Sequence, residues 1–325
     1  MTVLQPISPF VAAEPARLDP AKFRDPLVTA KGEPRATVAM AALKTLWFNT
    51  GTLCNIACLN CYIESSPRND ALAYLAGADV EAYLDEIATL CLPTREIGFT
   101  GGEPFMNREI IPMLEAALAR GFEVLVLTNA MRPMRRFEED LLALRTRYGD
   151  RLTLRVSLDH PSEAVHDAER GEGSFAITLD GLRWLSAHGF SIDVAGRRLA
   201  HEDEAQARAG FAALFERHGV TVDAADPRRL VLFPEMDARV DVPEITEACW
   251  DILGKSPAEV MCATSRMVVK RRGAERPAVL SCTLLAYDPG FEMGATLAEA
   301  LRPVALNHPH CAKFCVLGGA SCSVK

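Results

Sequence analysis

From residue 45 onward, short apolar runs alternate with longer stretches in which apolar positions recur every three or four residues. The short runs fall near 46–50, 96–100, 123–129, 152–159, 191–198 and 230–234, and predict strands. Between the first two, Val80, Tyr83, Leu84 and Ile87 follow the i, i+3, i+4, i+7 spacing of an amphipathic helix. Asn107 is placed to cap a second helix ending near Ala119, and Gly121 to close it. Further helices fit 136–148, 175–188, 204–218 and 243–253. Strands that alternate with helices imply a parallel sheet covered by helices. Six such units are too few for a closed eight-unit barrel.

The fourth strand carries a second pattern. Thr153, Arg155, Ser157 and Asp159 share one face, and Leu152, Leu154, Val156 and Leu158 the other. A sealed parallel core would be apolar on both faces. A polar inner face predicts a wet cleft holding a polar ligand. Its place is the C-terminal end of the strands, where parallel barrels carry their chemistry.

Residues 1–44 break the pattern. Pro6, Pro9, Pro15, Pro20, Pro26 and Pro34 punctuate them, which predicts an extended arm with one short helix near 37–43. The arm is too short to be a separate peptide-binding domain. Composition adds mainly exclusions. The net charge of −8 offers no footprint for nucleic acid or an anionic membrane. No apolar run reaches bilayer length, and the N-terminus lacks a basic n-region, so a soluble, cytoplasmic protein is expected. In that reducing setting the ten cysteines read as metal ligands rather than disulfides.

Three of them, Cys54, Cys58 and Cys61, form a C-x3-C-x2-C run directly after the first strand. A [4Fe–4S] cube is usually held by four thiolates. Three would leave one iron open to a small molecule, the mark of a catalytic metal site. Three-cysteine loops also hold zinc, with a fourth ligand from elsewhere. Tyr62 follows the last cysteine, and the second strand ends in Gly101-Gly102-Glu103-Pro104. Together these residues resemble the radical S-adenosylmethionine (SAM) superfamily, over about residues 45–250 and more weakly beyond.

The resemblance implies an α/β fold with an open, partial (β/α)6 barrel. It also implies a [4Fe–4S] cluster on Cys54, Cys58 and Cys61, with SAM chelating the fourth iron. Tyr62, Gly101, Gly102, Glu103, Pro104, Asn129, Ser157, Asp159 and Arg197 would contact SAM. Gly101 and Gly102 would bring backbone close to its methionine end, with Glu103 near its amino group. Ser157 and Asp159 would lie near its ribose and carboxylate. Where the family often has glycine after the asparagine, this chain has Ala130. Asp193 shares a strand face with Arg197 and is a further candidate contact. Turn, cap and solvated-rim roles are the alternatives for Gly101, Gly102, Asn129, Asp159, Asp193 and Arg197. Cys91 reads as a buried apolar residue, and Cys249 as structural.

The last third reads as a β-hairpin, 266–270 against 277–280, with Cys262 and Cys282 at its base. Cys311, Cys315 and Cys322 follow in a tail containing Gly318 and Gly319. This arrangement resembles the SPASM and Twitch extensions of radical SAM enzymes, which bind auxiliary Fe–S clusters. The shortened, Twitch-like form fits five cysteines better. The resemblance implies an auxiliary [4Fe–4S] cluster on Cys262, Cys282, Cys311 and Cys315, with Cys322 a substitute for a tail cysteine. Zinc is the alternative. The expected division is an arm at 1–44, a barrel at 45–253 and a small cysteine-rich domain at 254–325.

Two enzyme readings follow. The first is a radical SAM oxidoreductase: SAM is cleaved to a 5′-deoxyadenosyl radical, and a small polar metabolite is oxidised with the auxiliary cluster taking an electron. The alternative is a peptide or protein maturase making a cross-link or an oxidised side chain. Either needs a reducing electron donor such as flavodoxin or ferredoxin. A non-catalytic zinc or electron-transfer protein is the reading from another class. The polar loop at 63–70 is expected either to face solvent or to cover the barrel mouth.

Overall fold

The structure is a computed structural model that describes residues 8–10, 16–199, 201–234 and 239–318. Its strands, in chain order, are β1 (Thr37–Val38), β2 (Thr45–Asn49), β3 (Glu96–Thr100), β4 (Glu123–Thr128), β5 (Leu152–Ser157), β6 (Ser191–Arg197) and β7 (Leu230–Phe233). They continue with β8 (Ser265–Val269), β9 (Ala278–Leu280), β10 (Glu292–Gly294) and β11 (Val304–Ala305). The helices are α1 (Gly77–Thr89), α2 (Ile110–Ala119), α3 (Arg132–Arg135), α4 (Glu138–Tyr148), α5 (Glu163–Arg170), α6 (Ser174–Ala187), α7 (Glu204–His218) and α8 (Cys249–Leu253). A π-helical turn spans Cys311–Leu317.

One mixed sheet organises the chain, in the order β10-β9-β8-β2-β3-β4-β5-β6-β7. Strands β2 to β7 are parallel and adjacent in sequence order, as the strand-helix alternation requires. Val80, Tyr83, Leu84 and Ile87 are the buried face of α1. The core against the sheet is tight enough that a side chain at Gly98 would meet the facing Trp47 ring: a Cβ there would lie 2.3 Å from it.

The hairpin is present, but its place in the sheet was not expected. β8 pairs in parallel with β2, with Thr45 opposite Ser265, so the hairpin continues the central sheet. β9 and β10 then add antiparallel strands.

The arm differs from the sequence reading. No helix forms at 37–43. Instead β1 pairs with β11, and the following amides donate elsewhere: Ala41 to the Ala263 carbonyl at 2.9 Å and Lys44 to that of Thr264 at 2.8 Å. Partners from distant segments displace the local helical ones. Likewise only Cys249–Leu253 of the expected 243–253 helix is helical. Glu244 ties that segment to the arm. It accepts from the Phe23 and Ala30 amides at 2.8 and 2.7 Å and pairs with the buried Arg35.

Asn107 does not cap the second helix, whose N-cap position is Glu109; it closes the preceding turn three positions upstream. Its Oδ1 accepts from the Glu109 amide at 3.0 Å, while its amide group donates to the Leu75 and Thr50 carbonyls. Cys91 is exposed rather than buried: it sits just past α1 with φ of +51°.

Candidate active site and a second cysteine cavity

The cysteine loop leaves the end of β2 and is held by backbone contacts on two sides. Thr52 donates to the Leu72 carbonyl at 3.0 Å and Cys54 to that of Ser66 at 3.1 Å. On the other side Gly102 donates to the Gly51 carbonyl at 2.8 Å, and a Cβ at Gly102 would lie 2.2 Å from the Leu53 oxygen. The glycine pair is therefore required first by the cysteine loop, whose backbone presses against it. Only glycine permits that approach.

Cys54, Cys58, Cys61 and Tyr62 line one wall of a cavity of about 1060 Å³ including its mouth. Gly101, Gly102, Asn129, Ser157, Asp159 and Arg197 line it from the strand ends. Burial pushes the Cys54 thiol up to about 12 and the Cys58 thiol up to about 11, the latter against the pull of Arg170. Metal binding here must release protons. Three soft sulfur donors on one loop facing an open, partly polar cavity suit an iron–sulfur cluster with one uncovered iron. Among the described residues, no three His, Cys, Asp or Glu side chains are grouped as a single-ion site would require.

Three expected contacts are not on the cavity wall. The Glu103 carboxylate is buried and turned towards β4. It accepts from the Asn129 amide at 2.8 Å, the Phe105 amide at 3.2 Å and the Thr128 hydroxyl at 2.9 Å. Burial raises Glu103 to about 7 although these donors pull the other way. Its place is behind Asn129, which it positions. Pro104 is buried in the turn Pro104–Met106, facing away from the cavity. Asp193 lies near the start of β6, away from the C-terminal strand ends, bonded to Arg155 at 3.1 Å and to Arg229 at 3.0 Å. The polar face of β5 thus divides. Ser157 and the following Asp159 serve the cavity, while Arg155 is buried against Asp193.

Asn129 donates from its amide group to Asn55 Oδ1 at 2.9 Å and so reaches the cysteine loop. The next residue, Ala130, has φ of +57°, the conformation that favours glycine. It is fully buried, and α6 approaches so closely that a Cβ at Gly181 would lie 2.1 Å from its carbonyl oxygen.

Arg170 was missed by sequence reasoning. It lines the cavity from the end of α5, a short polar helix that the periodicity did not single out. Ser162 before that helix and Gly171 after it were the available signals. Arg170 grips Asp159 with two hydrogen bonds, at 2.7 and 3.1 Å, and Arg197 stands 3.7 Å away. Burial alone would raise Asp159; Arg170 and Arg197 outweigh it and hold the carboxyl down at about 2. Neighbouring Glu169 accepts from the Asn60 amide at 2.8 Å, so α5 also holds the cysteine loop.

Arg170→Ala would strip a buried carboxylate of its main partner, at a cost of about 3–5 kcal/mol. Because folded Asp159 titrates below its ordinary 3.8, its stabilisation is fully present above about pH 4 and lost as pH falls towards 2. The variant should unfold at lower urea than wild type at pH 6, and the difference should shrink below pH 4. Equal urea midpoints at pH 6 would show that the pair contributes nothing.

The loop after the cysteines is not a free rim. Tyr287 donates to the Ile63 carbonyl at 2.8 Å, and Arg272 pairs with Asp70 at 3.0 Å, tying the loop to the C-terminal segment.

The C-terminal segment holds a second cavity of about 370 Å³. Cys262, Cys282, Cys311 and Cys315 all line it, together with His310 and apolar side chains. Cys262 comes from the turn Met261–Ala263, Cys282 follows β9, and Cys311 and Cys315 share the π-helical turn. Cys322 lies outside the described residues. Burial pushes Cys262 up to about 11, and burial with the neighbouring thiols raises Cys311 further. Cys249 is apart from both cavities and bonds to Thr246. Four sulfur donors around one enclosed space suit a fully ligated cluster.

The two cavities are neighbours. Leu284 lines both. Phe314, between Cys311 and Cys315, lines the first and stacks on Phe233 of β7 at 5.6 Å between centroids.

Fold and site together define an α/β enzyme scaffold with a three-cysteine loop above the ends of its parallel strands. Residues 48–204, just under half of the chain, match the model of the radical SAM superfamily. Its cofactors are accordingly a [4Fe–4S] cluster and SAM.

Two curated relatives are similar over part of the chain. The antilisterial bacteriocin subtilosin biosynthesis protein AlbA of Bacillus subtilis is 36% identical over 143 residues, 44% of this chain and 30% of that protein. The mycofactocin maturase MftC of Mycobacterium ulcerans is 30% identical over 174 residues, 52% of this chain and 43% of that protein. The chain thus spans less than half the length of either. Among solved structures, SuiB of Streptococcus suis bound to S-adenosylmethionine superposes with a TM-score of 0.55 at 12% identity, covering 78% of this chain and 63% of that one. That likeness is one of fold. Among the described residues, no helix is long and apolar enough to cross a membrane.

Proposed function

We propose that this protein is a radical SAM peptide maturase with a second iron–sulfur cluster in an auxiliary C-terminal region, residues 254–325. The observation that carries the reading is the pair of cysteine-lined cavities sharing the Leu284 wall. The peptide substrate rests on the relatives, one named for biosynthesis of a bacteriocin and the other a maturase.

In this reading Cys54, Cys58 and Cys61 hold the first cluster. Bound there, the reduced cluster and SAM supply a one-electron cleavage whose product abstracts a substrate hydrogen. The chain's own residues orient and shield. Asn129, placed by Glu103, and the Gly101–Gly102 backbone border the methionine end. Arg170 and Arg197 offer cations for a carboxylate, and Asp159 keeps both in place. Ile56, Leu127, Phe233, Leu284 and Phe314 form an apolar wall that excludes water beside the reacting carbon. Cys262, Cys282, Cys311 and Cys315 would hold the second cluster, which would supply an electron acceptor for the substrate, in the cavity that shares Leu284 with the first. A reducing donor such as flavodoxin or ferredoxin supplies the first electron.

Oxidation of a small polar metabolite is the second reading, favoured by the charged strand-end half of the same cavity. One experiment separates them. The reconstituted protein is incubated anaerobically with SAM, dithionite and the short peptide encoded nearest its gene. The peptide should stimulate 5′-deoxyadenosine formation and lose about 2 Da of mass, the loss of two hydrogens. An unaltered peptide, with 5′-deoxyadenosine formed only when a metabolite extract is added, would favour the metabolite.

A further inference from the structure

Arg266 is the second residue of the hairpin strand β8, four positions after Cys262 of the second cavity, and it is 1% exposed. Among the described residues its guanidinium donates only to backbone carbonyls: to Cys262 at 2.6 Å, Ala300 at 2.7 Å, Ser265 at 2.8 Å and Arg302 at 3.3 Å. Among the described residues, no carboxylate lies within ion-pair distance of it. The acidic groups that act on it are the thiols of Cys262 and Cys282. Carbonyl dipoles satisfy its N–H groups but do not cancel its charge. A buried cation without an anion is costly, and such charges are normally paired. The sequence reading took this position only as a strand residue.

We infer that Arg266 is the counter-ion of the metal group held by Cys262, Cys282, Cys311 and Cys315, and that its charge keeps the second cluster easy to reduce. The inference rests on the second cavity being an iron–sulfur site. Four thiolates around a cube leave a net negative charge, which grows by one on reduction. A fixed cation nearby in a low-dielectric interior favours the more negative, reduced state. Arg266 thereby poises the second cluster to take an electron, while the carbonyl bonds hold the Cys262 turn and the 300–302 segment in place. It is a positioning and tuning residue with no substrate contact.

The test isolates the second cluster. The full chain carrying Cys54→Ala, Cys58→Ala and Cys61→Ala is reconstituted with iron and sulfide, then titrated with dithionite while the reduced cluster is followed by electron paramagnetic resonance. Arg266→Met and Arg266→Lys are added to this background. Arg266→Met, which removes the charge, should shift the one-electron midpoint negative by about 59 mV or more, a tenfold fall in the reduced-to-oxidised ratio at the parent's midpoint. Arg266→Lys keeps the charge while losing most of the carbonyl bonds, and should stay close to the parent. Should Arg266→Met fail to take up iron, the Lys variant alone decides: an unchanged midpoint supports the inference, and a negative shift of that size overturns it. A Met midpoint equal to the parent's, or Lys and Met falling alike, would also overturn it. A background protein that binds no iron rejects the second cluster itself, a different failure.

Discussion

Replacing Cys54, Cys58 and Cys61 together by alanine should abolish SAM cleavage and leave the fold largely intact. The two halves of this expectation have separate causes. Among the described residues, the sulfurs are the only soft donors on the wall of the first cavity, so the variant should not retain a cluster there. The loop, by contrast, is held by the Thr52, Cys54 and Gly102 amides, none of which needs a thiol side chain. By the two-cubane reading, iron should fall from about eight atoms per chain to about four. Iron assay, circular dichroism and 5′-deoxyadenosine formation under dithionite measure the three parts. Continued 5′-deoxyadenosine formation by the triple variant would remove these cysteines from the chemistry.

Cys262→Ala combined with Cys282→Ala should have the second large effect, and a different profile. About half the iron should again be lost. Here, however, the segment from residue 256 onward should become sensitive to limited proteolysis. Two contributions compete. Ala312, Phe314 and Val316 are buried, and a fully buried apolar side chain contributes about 1.5–3 kcal/mol. A cysteine-bound structural metal contributes on the order of 10 kcal/mol in small metal-dependent folds, so losing it outweighs the apolar packing that remains. SAM cleavage should persist, because the first cavity keeps its cysteines, but it should no longer be coupled to substrate turnover. A variant that resists protease and turns over substrate normally would reduce the second cavity to a structural feature.

Much of this architecture was legible because it depends on local pattern. Strand and helix periods place β2 to β7 within a residue or two of their observed ends, and a four-residue apolar spacing identifies the buried face of α1. Partners contributed by distant segments were not legible. The 37–43 and 243–253 stretches have helical composition, yet amides and carboxylates near them are claimed across the fold, by Ala263, Thr264 and Arg35. The hairpin could be read from its own alternation, but nothing local says that β8 would join β2.

The same limit applies at the site. The cysteine spacing and the strand-end rule bring the right residues to one cavity. Where a side chain turns depends on who else is there. Glu103 turns away because Phe105, Thr128 and Asn129 offer three donors. Asp193 is claimed by Arg155 and Arg229. Arg170 escaped notice because α5 has only eight residues and a polar composition, too short for a periodic signal to stand out.

The parallel pairing of β2 with β8 has a consequence for how the protein is made. Thr45 and its partner Ser265 are 220 positions apart, the difference of their numbers. On the ribosome, β2 emerges early, and its inner edge can pair with β3 after some fifty residues. Its outer edge must wait until β8 has been synthesised. At 5–20 residues per second that interval is on the order of 10 to 40 seconds, with an apolar strand edge open throughout. An unpaired edge of that kind invites pairing with another nascent chain. Because the first barrel strand is completed by nearly the last strand of the sheet, truncation before β8 should release a chain that needs a chaperone to stay in solution.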